Sequence, residues 1–335
     1  MERPSSWSVR VPASTSNLGP GFDFLGLAFG LYLDASAQLS AGADHCVTYA
    51  FLSSGDPATD GQSSQGRLPW DPSADLCLRA LDAYERFFGR RLPRLDLRVH
   101  TEIPIGRGFG SSGAAIAATL LLASAVDPAV APAATATDTH TDELLAIALE
   151  LEGHPDNATA SLLGGCTAAV PVPGNELPAL AVVRPPVHPS LALAVAWPDE
   201  PLFTPAARSV LPEKVPFGDA VENPRRLALL LEGLRTADSR LLELGVHDRL
   251  HEAFRRRLIP GADAAIARAR EASAFAACVS GAGSGLVAIG PVEGMEPVAR
   301  AMAEALKGGI GLAVAIVREA PVAEAAVDPG SDSRH

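Results

Sequence analysis

The chain has 335 residues, 47% of them hydrophobic and 20% charged, as in an ordinary globular protein large enough for two domains. Its formal net charge of −12 argues against nucleic acid or an anionic membrane as the main partner. The first residues contain no apolar signal-peptide segment, and glycine, proline and aspartate interrupt the apolar stretch 18–33, which excludes a membrane span. We therefore expect a cytoplasmic protein.

The first half of the chain alternates between strand and helix patterns. Periodicity predicts strands at 8–11, 30–37, 46–51 and 95–101, and helices at 74–88, 112–125 and 142–151. Two polar or Ala/Pro/Thr-rich stretches, 53–66 and 125–141, are predicted to be loops or connections. The four cysteines are scattered without C-x-x-C spacing, so we expect reduced thiols and no zinc site.

The second half continues with a mixture of both elements. It is predicted to contain strands at 191–197 and 311–318, a strand–glycine turn–strand over 275–289, and helices at 223–235, 241–256, 262–271 and 298–306. Strands and helices do not repeat as strict βαβ units, which favours an α+β fold over a doubly wound sheet.

The segment 103–115, IPIGRGFGSSGAA, has the composition of a phosphate-binding loop. It joins a predicted strand to a predicted helix, and a helix N-terminus offers free backbone N–H groups and a positive dipole end to an anion. It lacks the lysine of a Walker A loop, and its glycine spacing is not that of the dinucleotide fingerprint. Taken alone, the loop remains either a nucleotide site or a structural turn.

Three further segments accompany this loop. They are VPASTSNLGPGFD at 11–23, EGHPDN at 152–157 followed by LGG at 163–165, and SGAGSG at 280–285. Together with P-x-G-x-G-x-G-S-S-G-A, they resemble the ordered motifs of the GHMP small-molecule kinases. The first and middle segments resemble the version carried by the homoserine kinases. The resemblance spans about residues 8–320.

This resemblance implies an α+β protein with the two-domain GHMP kinase fold. A ribosomal protein S5 domain 2-like N-terminal domain would occupy 1–172, a ferredoxin-like C-terminal domain 173–325, and a flexible tail 326–335. The site would lie in the cleft between the two domains.

The resemblance also assigns a nucleotide site for ATP and Mg²⁺. Ser112 and Glu152 would hold the metal, although a solvated glutamate at a helix end is the plain alternative for Glu152. Arg107 would contact phosphate or face water, Phe109 stands where Leu or Met is usual, and Asp75 stands where Asn is expected near adenine. The implied ATP-binding residues are Pro104, Ile105, Gly106, Arg107, Gly108, Phe109, Gly110, Ser111, Ser112, Gly113 and Ala114.

A second set of residues is assigned to the acceptor. Asp23 would bind an ammonium group, and Arg208 and Arg255 would clamp a carboxylate, because a planar guanidinium binds carboxylate in two places. Turn chemistry for Asn17 and Asp23 and ordinary surface positions for the arginines are the alternatives. The implied catalytic residues are Asn157 and Arg208. The implied substrate-binding residues are Asn17, Asp23, His154, Thr204, Arg208 and Arg255.

The activity implied is transfer of the γ-phosphoryl group of ATP to the side-chain hydroxyl of L-homoserine. The product, O-phospho-L-homoserine, would serve threonine synthesis, and the protein would be a homodimer. With no obvious aspartate base beside the hydroxyl, we expect catalysis without a strong general base. Three alternatives remain: a threonine-like or mevalonate-like acceptor, a non-catalytic binding protein of the same fold, and a structural protein with a coincidental glycine loop.

Overall fold

In the computed structural model, the described residues are 5–42, 44–51, 64–66, 75–130, 138–174 and 179–326. Most of the predicted loop 53–66, residues 131–137 of the predicted connection 125–141, and all of the predicted tail except Ala326 lie outside these ranges.

The elements follow one another along the described chain in mixed order. The strands are β1 (Ser6–Asn17), β2 (Gly21–Leu39), β3 (Cys46–Phe51), β4 (Ser64–Gly66), β5 (Leu95–Thr101), β6 (Cys166–Val172), β7 (Ala179–Val183), β8 (Leu191–Trp197), β9 (Ala276–Val279), β10 (Leu286–Pro291), β11 (Ile310–Val314) and β12 (Glu324–Ala326). The helices are α1 (Leu76–Phe88), α2 (Ser111–Val126), α3 (Asp138–Glu152), α4 (Asp156–Leu163), α5 (Thr204–Ser209), α6 (Phe217–Thr236), α7 (Ser239–Gly245), α8 (Glu252–Arg256), α9 (Ala262–Glu271) and α10 (Met295–Glu304).

The described strands form two sheets. The larger has the order β12-β1-β2-β5-β3-β4, with β6 pairing with both β2 and β7. The smaller has the order β11-β8-β10-β9. Within the described residues, β3 and β5 form the single parallel pair and every other pair of strands is antiparallel. This arrangement confirms the α+β prediction.

Helix α2 forms the centre of the first layer and carries the glycine loop at its N-terminus. It packs against β1 and β2 and contacts α1, α3 and α4. Its sequence, SSGAAIAATLLLASAV, is small and apolar on nearly every side, so it is buried almost all round. Helices α9 and α10 cover the smaller sheet, each with one buried apolar face. The glycine loop is therefore fixed to a rigid, buried helix.

One predicted helix is wrong in its length. The pattern at 241–256 predicts one helix, but the structure has α7 and α8 separated by residues 246–251. The cause is Asp248, whose Oδ2 accepts hydrogen bonds from the backbone N–H groups of Leu250, His251 and Glu252 at 2.7–3.0 Å. Aspartate side chains compete with helical backbone bonds in this way and favour helix starts.

Six elements were not predicted, namely β4, β6, β7, β12, α4 and α5, and β4 lies inside the predicted loop 53–66. The predicted boundary at 172/173 lies between β6 and β7, which pair with each other, and it stays a prediction. Within the described ranges, no helix combines the length and apolar character needed to cross a bilayer.

Candidate active site

A cleft of about 340 Å³ lies beside the start of α2. The glycine loop and the first turn of α2 form its middle, β1 and the 17–23 turn form one end, and α5 and the β9–β10 turn close it from the smaller sheet. Of the predicted residues, those lining the cleft are Asn17, Asp23, Ile105, Gly106, Gly108, Gly110, Ser111, Ser112, His154, Asn157, Thr204, Arg208 and Arg255.

The middle of the cleft is made of backbone. Gly110 precedes α2 in a left-handed conformation, with φ of 70°, and no described side chain caps the first turn. The free N–H groups and the positive dipole end of α2 therefore lie where Ser111 and Ser112 line the cleft. This arrangement suits the oxygens of a phosphate chain.

Glycine is required in the loop because the β9–β10 turn packs directly on it. A Cβ at Gly108, whose φ is 71°, would overlap the carbonyl oxygen of Ser280. The Ser280 hydroxyl lies 2.7 Å from the Gly108 carbonyl and 2.8 Å from the Thr15 hydroxyl. The SGAGSG segment, distant in sequence, thus binds the glycine loop to β1.

Ser112 and Glu152 lie together, as predicted for a metal site. The Ser112 hydroxyl donates to Glu152 Oε1 at 2.7 Å. The other carboxylate oxygen, Oε2, is buried and has no hydrogen-bond partner among the described residues. Burial raises the pKa of Glu152 to about 6. An unpartnered buried carboxylate oxygen beside a hydroxyl fits a hard cation such as Mg²⁺.

Two loop side chains do not line the cleft. The Arg107 guanidinium donates to the carbonyl oxygens of Pro198 at 3.0 Å, Ile105 at 3.2 Å, and Asp199. Phe109 is buried, and its ring meets Phe29 and Trp197 edge to face at centroid distances of 5.7 and 5.5 Å. Arg107 therefore anchors the loop, and Phe109 packs beneath it.

Pro104, Gly113 and Ala114 also lie outside the lining of the cleft.

The cleft ends beyond the loop in an apolar wall that also contains the polar side chains of Tyr49 and Asp75. Tyr49 donates to Asp75 Oδ2 at 2.7 Å, while Asp75 Oδ1 accepts from the backbone N–H groups of Cys77 and Leu78 and caps α1. The apolar lining residues at this end are Leu33, Leu76, Val99, Ile105 and Ala115.

The opposite end contains a charged pair that the sequence did not predict. Asp23 and Arg208 form a bidentate salt bridge, with oxygen–nitrogen distances of 2.8 and 2.9 Å. The hydrogen bond and charge of Asp23 hold the pKa of Arg208 above its ordinary value. The sequence assigned Asp23 to the ammonium group and Arg208 to the carboxylate of the acceptor. In this structure the two side chains instead pair with each other.

Arg255 is 2% exposed and has no carboxylate within salt-bridge distance in the described part of the chain. Its Nε is buried without a hydrogen-bond partner there. Burial and then the charge of Arg208 lower the pKa of Arg255 to about 10. A buried guanidinium without a counterion is costly, so a ligand carboxylate at this position would be strongly favoured.

The middle motif lies between the two ends. Its last residue, Asn157, lies in the first turn of α4. Its Nδ2 donates to Ser16 at 3.0 Å and its Oδ1 accepts from Ser14 at 3.1 Å. His154 Nδ1 lies 2.7 Å from Asp156 Oδ1. Burial opposes its charged form, but the hydrogen bond and charge of Asp156 raise the pKa of His154.

Asp156 and Ser16 line the cleft but were not predicted as site residues. Asp156 is 2% exposed, and its Oδ1 also accepts from the backbone N–H of Asn157 at 2.8 Å. Its position inside the EGHPDN motif, two residues after His154, was the available signal. Ser16 carried none, because one serine in a polar strand has no distinguishing pattern.

Comparisons with known proteins agree with this geometry. The family models for the GHMP kinases N terminal domain and the GHMP kinases C terminal match residues 75–165 and 229–308. A homoserine kinase of Gloeobacter violaceus is 38% identical over 295 residues, covering 88% of this chain and 91% of the relative. One from a Synechococcus species is 36% identical over 315 residues, covering 94% and 91%. The homoserine kinase structure from Cytophaga hutchinsonii superposes with a TM-score of 0.80 at 24% identity, covering 97% and 99%.

The two sheets, the uncapped helix behind a lysine-free glycine loop, and both family matches define a kinase of the GHMP class. Within that class, sequence identities of 38% and 36% to two homoserine kinases, over 88% and 94% of the chain, show that the protein belongs to the homoserine kinase family.

Proposed function

We propose that the protein transfers the γ-phosphoryl group of MgATP to the side-chain hydroxyl of L-homoserine, giving O-phospho-L-homoserine for threonine synthesis. One observation carries this proposal. A carboxylate and two guanidinium groups, Asp23, Arg208 and Arg255, gather in one end of a cleft whose middle is an uncapped helix N-terminus. An amino-acid zwitterion would pair with the charged side chains at that end, and a phosphate chain would bind the helix N-terminus.

Acceptor binding replaces the pair between Asp23 and Arg208. The ammonium group of the substrate takes the place of Arg208 beside Asp23, and the carboxylate takes the place of Asp23 beside Arg208. Arg255 supplies a second guanidinium to that carboxylate and gains its missing counterion. Because every charge that is uncovered finds a new partner, the exchange avoids leaving a buried charge unpaired. Asn17 and Thr204 line the same end and complete the acceptor site.

The phosphates lie along Gly106, Gly108 and Gly110 at the start of α2. Ser112 and Glu152 would hold Mg²⁺ beside the phosphates. When bound, the ion neutralises the negative charge that develops on the phosphates. Gly113 and Ala114 contribute to this part through the backbone of α2, and Pro104, Arg107 and Phe109 shape the loop.

No side chain in the described part of the site acts as a strong general base. The candidate carboxylates are already engaged: Asp23 with Arg208, Glu152 with Ser112, and Asp156 with His154 and Asn157. Phosphoryl transfer depends mainly on positioning and charge neutralisation. Asn157, held by Ser14 and Ser16 between the two ends of the cleft, orients the acceptor hydroxyl, with His154 beside it.

The apolar end of the cleft takes the nucleobase. Leu33, Val99 and Ala115 would contact its faces, and Asp75, which accepts from Tyr49, would accept a base amino group. This chemistry is compatible with adenine and supports ATP as the donor. We also propose that the protein is cytoplasmic and forms a homodimer. Light scattering of the purified protein in solution would test the dimer.

The experiment is a coupled assay of ADP release with L-homoserine, L-threonine, L-serine and mevalonate as acceptors. The proposal predicts the highest kcat/KM for L-homoserine. ADP release that no acceptor stimulates would favour a binding protein of the same fold. A clear preference for mevalonate would overturn the assignment of Asp23 and the two arginines.

A further inference from the structure

A buried histidine connects two parts of the acceptor end. His251 lies in the segment between α7 and α8 and is 1% exposed. Its Nε2 lies 2.8 Å from the carbonyl oxygen of Gly19, in the turn that carries Asn17 and Asp23. Its Nδ1 faces Arg255 Nη1 at 3.4 Å. One ring therefore touches both the turn that would bind the ammonium group and the guanidinium that would bind the carboxylate.

The contacts define the protonation state of this ring. A carbonyl oxygen only accepts, so Nε2 carries the hydrogen. A guanidinium only donates, so Nδ1 is the acceptor. The imidazole is therefore the neutral Nε2–H tautomer. Burial and the positive charge of Arg255 favour the neutral form, although Asp248 Oδ1, 3.7 Å from Nε2, opposes them. Asp248 Oδ2 is occupied by the backbone at the start of α8.

Phe22 and the Gly281 carbonyl oxygen hold the Asn17–Asp23 turn and Arg255, the two partners of His251, in place. The ring stacks on Phe22 at a centroid distance of 4.9 Å, and Phe22 also lies under the guanidinium groups of Arg255 and Arg208 at 5.1 and 5.7 Å. The carbonyl oxygen of Gly281 accepts from Asn17 Nδ2 and from Arg255 Nη1, both at 2.9 Å. The turn and Arg255 are thus joined twice, once through Gly281 and once through His251.

The connection through His251 needs one group that donates to the Gly19 carbonyl oxygen and accepts from the Arg255 guanidinium. The Gly281 carbonyl fixes one N–H of Arg255 but leaves rotation about that bond, whereas a second acceptor fixes the plane of the guanidinium. A planar donor must be oriented before it can bind a carboxylate with two parallel bonds. Imidazole is suited to this position because one neutral ring both donates and accepts.

We propose that His251 is a positioning residue for the acceptor, which sets the distance and orientation between the Asp23 turn and the Arg255 guanidinium. The inference rests on the proposed function, because it concerns the same acceptor. His251 does not line the cleft, so it would act on the acceptor only through other residues. It acts on acceptor affinity through Gly19 and Arg255, and it leaves the phosphate end unchanged.

The test uses three variants of the full chain. His251→Phe keeps a stacking ring and loses both hydrogen bonds. His251→Gln keeps an N–H donor in place of Nε2 for Gly19 but loses the aromatic acceptor. His247→Gln is the matched control, because His247 is exposed in the same connecting segment. Steady-state KM and kcat are measured for both substrates, and binding of L-homoserine to each protein is measured by calorimetry.

We expect His251→Phe to raise the KM and the dissociation constant for L-homoserine by about 10- to 100-fold, as when a hydrogen bond to a charged group is lost. The KM for ATP should stay within about twofold, with His251→Gln intermediate and His247→Gln unchanged. If His251→Phe does not fold, the His251→Gln comparison decides.

An unchanged affinity for L-homoserine in a folded His251 variant would overturn the positioning role. Equal losses for ATP and L-homoserine would also overturn it, since they would indicate only a general structural role. Absence of homoserine-dependent turnover in the unsubstituted protein would instead contradict the proposed function, so the two failures are distinguishable.

Discussion

The phosphate end of the cleft is made of backbone from one continuous segment, whereas the acceptor end is made of charged side chains from three distant ones. At the phosphate end, β5, the glycine loop and α2 follow one another within residues 95–126. At the acceptor end, Asp23, Arg208 and Arg255 come from β2, α5 and α8, and Asn17 and Gly281 join them. The first end exists once local structure forms, and the second exists only in the complete fold.

This contrast has an energetic consequence. Backbone N–H groups at a helix start have fixed positions, and those at the start of α2 have no side-chain cap among the described residues. Charged side chains in a partly buried site need partners even without substrate, and Asp23 and Arg208 meet that need by pairing with each other. Nucleotide binding should therefore need little rearrangement, while acceptor binding must break an existing bidentate pair.

Among the substitutions, the largest effect is expected where the phosphate end meets the metal. Glu152→Gln keeps the shape of the side chain and removes its charge, so it should lower kcat by about 10²- to 10³-fold, as when one group that stabilises developing charge is removed. The control is Glu150→Gln in the same helix, where the Glu150 carboxylate pairs with Arg86 at the surface. Measurement of kcat for both variants at saturating ATP and Mg²⁺ checks this. Equal activity of the two variants would rule out Glu152 as a metal ligand.

At the acceptor end, Arg255→Lys should raise the KM for L-homoserine by about 10- to 100-fold while the KM for ATP changes little. Lysine keeps the charge but cannot form two parallel bonds to a carboxylate. Arg256→Lys is the neighbouring control, since Arg256 pairs with Asp263 at 2.8 Å. Initial-rate measurements over both substrate concentrations separate the two KM values. A loss confined to the KM for ATP would contradict the division of the cleft.

The local part of this picture could be predicted from the sequence, because it depends on neighbours along the chain. Strand β5 has the predicted bounds, α2 has them within one residue, and the glycine loop joins the two as expected. Ser112 and Glu152 are 40 residues apart, yet the resemblance to the GHMP kinases assigned them to one site, and they lie in hydrogen-bond contact.

The remaining features depend on contacts that no local pattern contains. The pair between Asp23 and Arg208 spans 185 residues, and the sequence assigned each residue to a charged group of the substrate without indicating that the two pair with each other. The break between α7 and α8 depends on how one aspartate side chain competes with the helix. Arg107 could not be assigned because its carbonyl partners at Pro198 and Asp199 lie more than 90 residues away.

The start of α8, the helix that carries Arg255, should also make stability depend on pH. Burial raises the pKa of Glu252, at the start of α8, to about 7. A carboxyl group whose pKa is higher in the folded state than in the unfolded state destabilises the fold as pH rises toward that value. Glu252→Gln should therefore change Tm little near pH 4.5 and raise it by several degrees at pH 8. Calorimetry at both pH values, with exposed Glu243→Gln as control, tests this, and a pH-independent difference would contradict it.

The smallest effect concerns the residue beneath the phosphate loop. Phe109→Leu should reduce the free energy of unfolding by about 1 kcal/mol through imperfect packing against Phe29 and Trp197. The KM for ATP should stay nearly unchanged, because the ring does not line the cleft. Urea unfolding gives the first quantity and initial rates give the second. A large rise in the KM for ATP without loss of stability would place Phe109 in nucleotide binding.

The central claim is that one end of the cleft recognises an amino-acid zwitterion, and truncated acceptors test it most directly. Compared with L-homoserine, 4-hydroxybutyrate lacks the ammonium group and 3-amino-1-propanol lacks the carboxylate. The measurement is kcat/KM for all three alcohols at saturating ATP. We predict that each truncated alcohol falls at least about 10³-fold below L-homoserine, because each leaves a charged group of the site unpaired. Phosphorylation of 4-hydroxybutyrate at a rate comparable to that of L-homoserine would contradict the account.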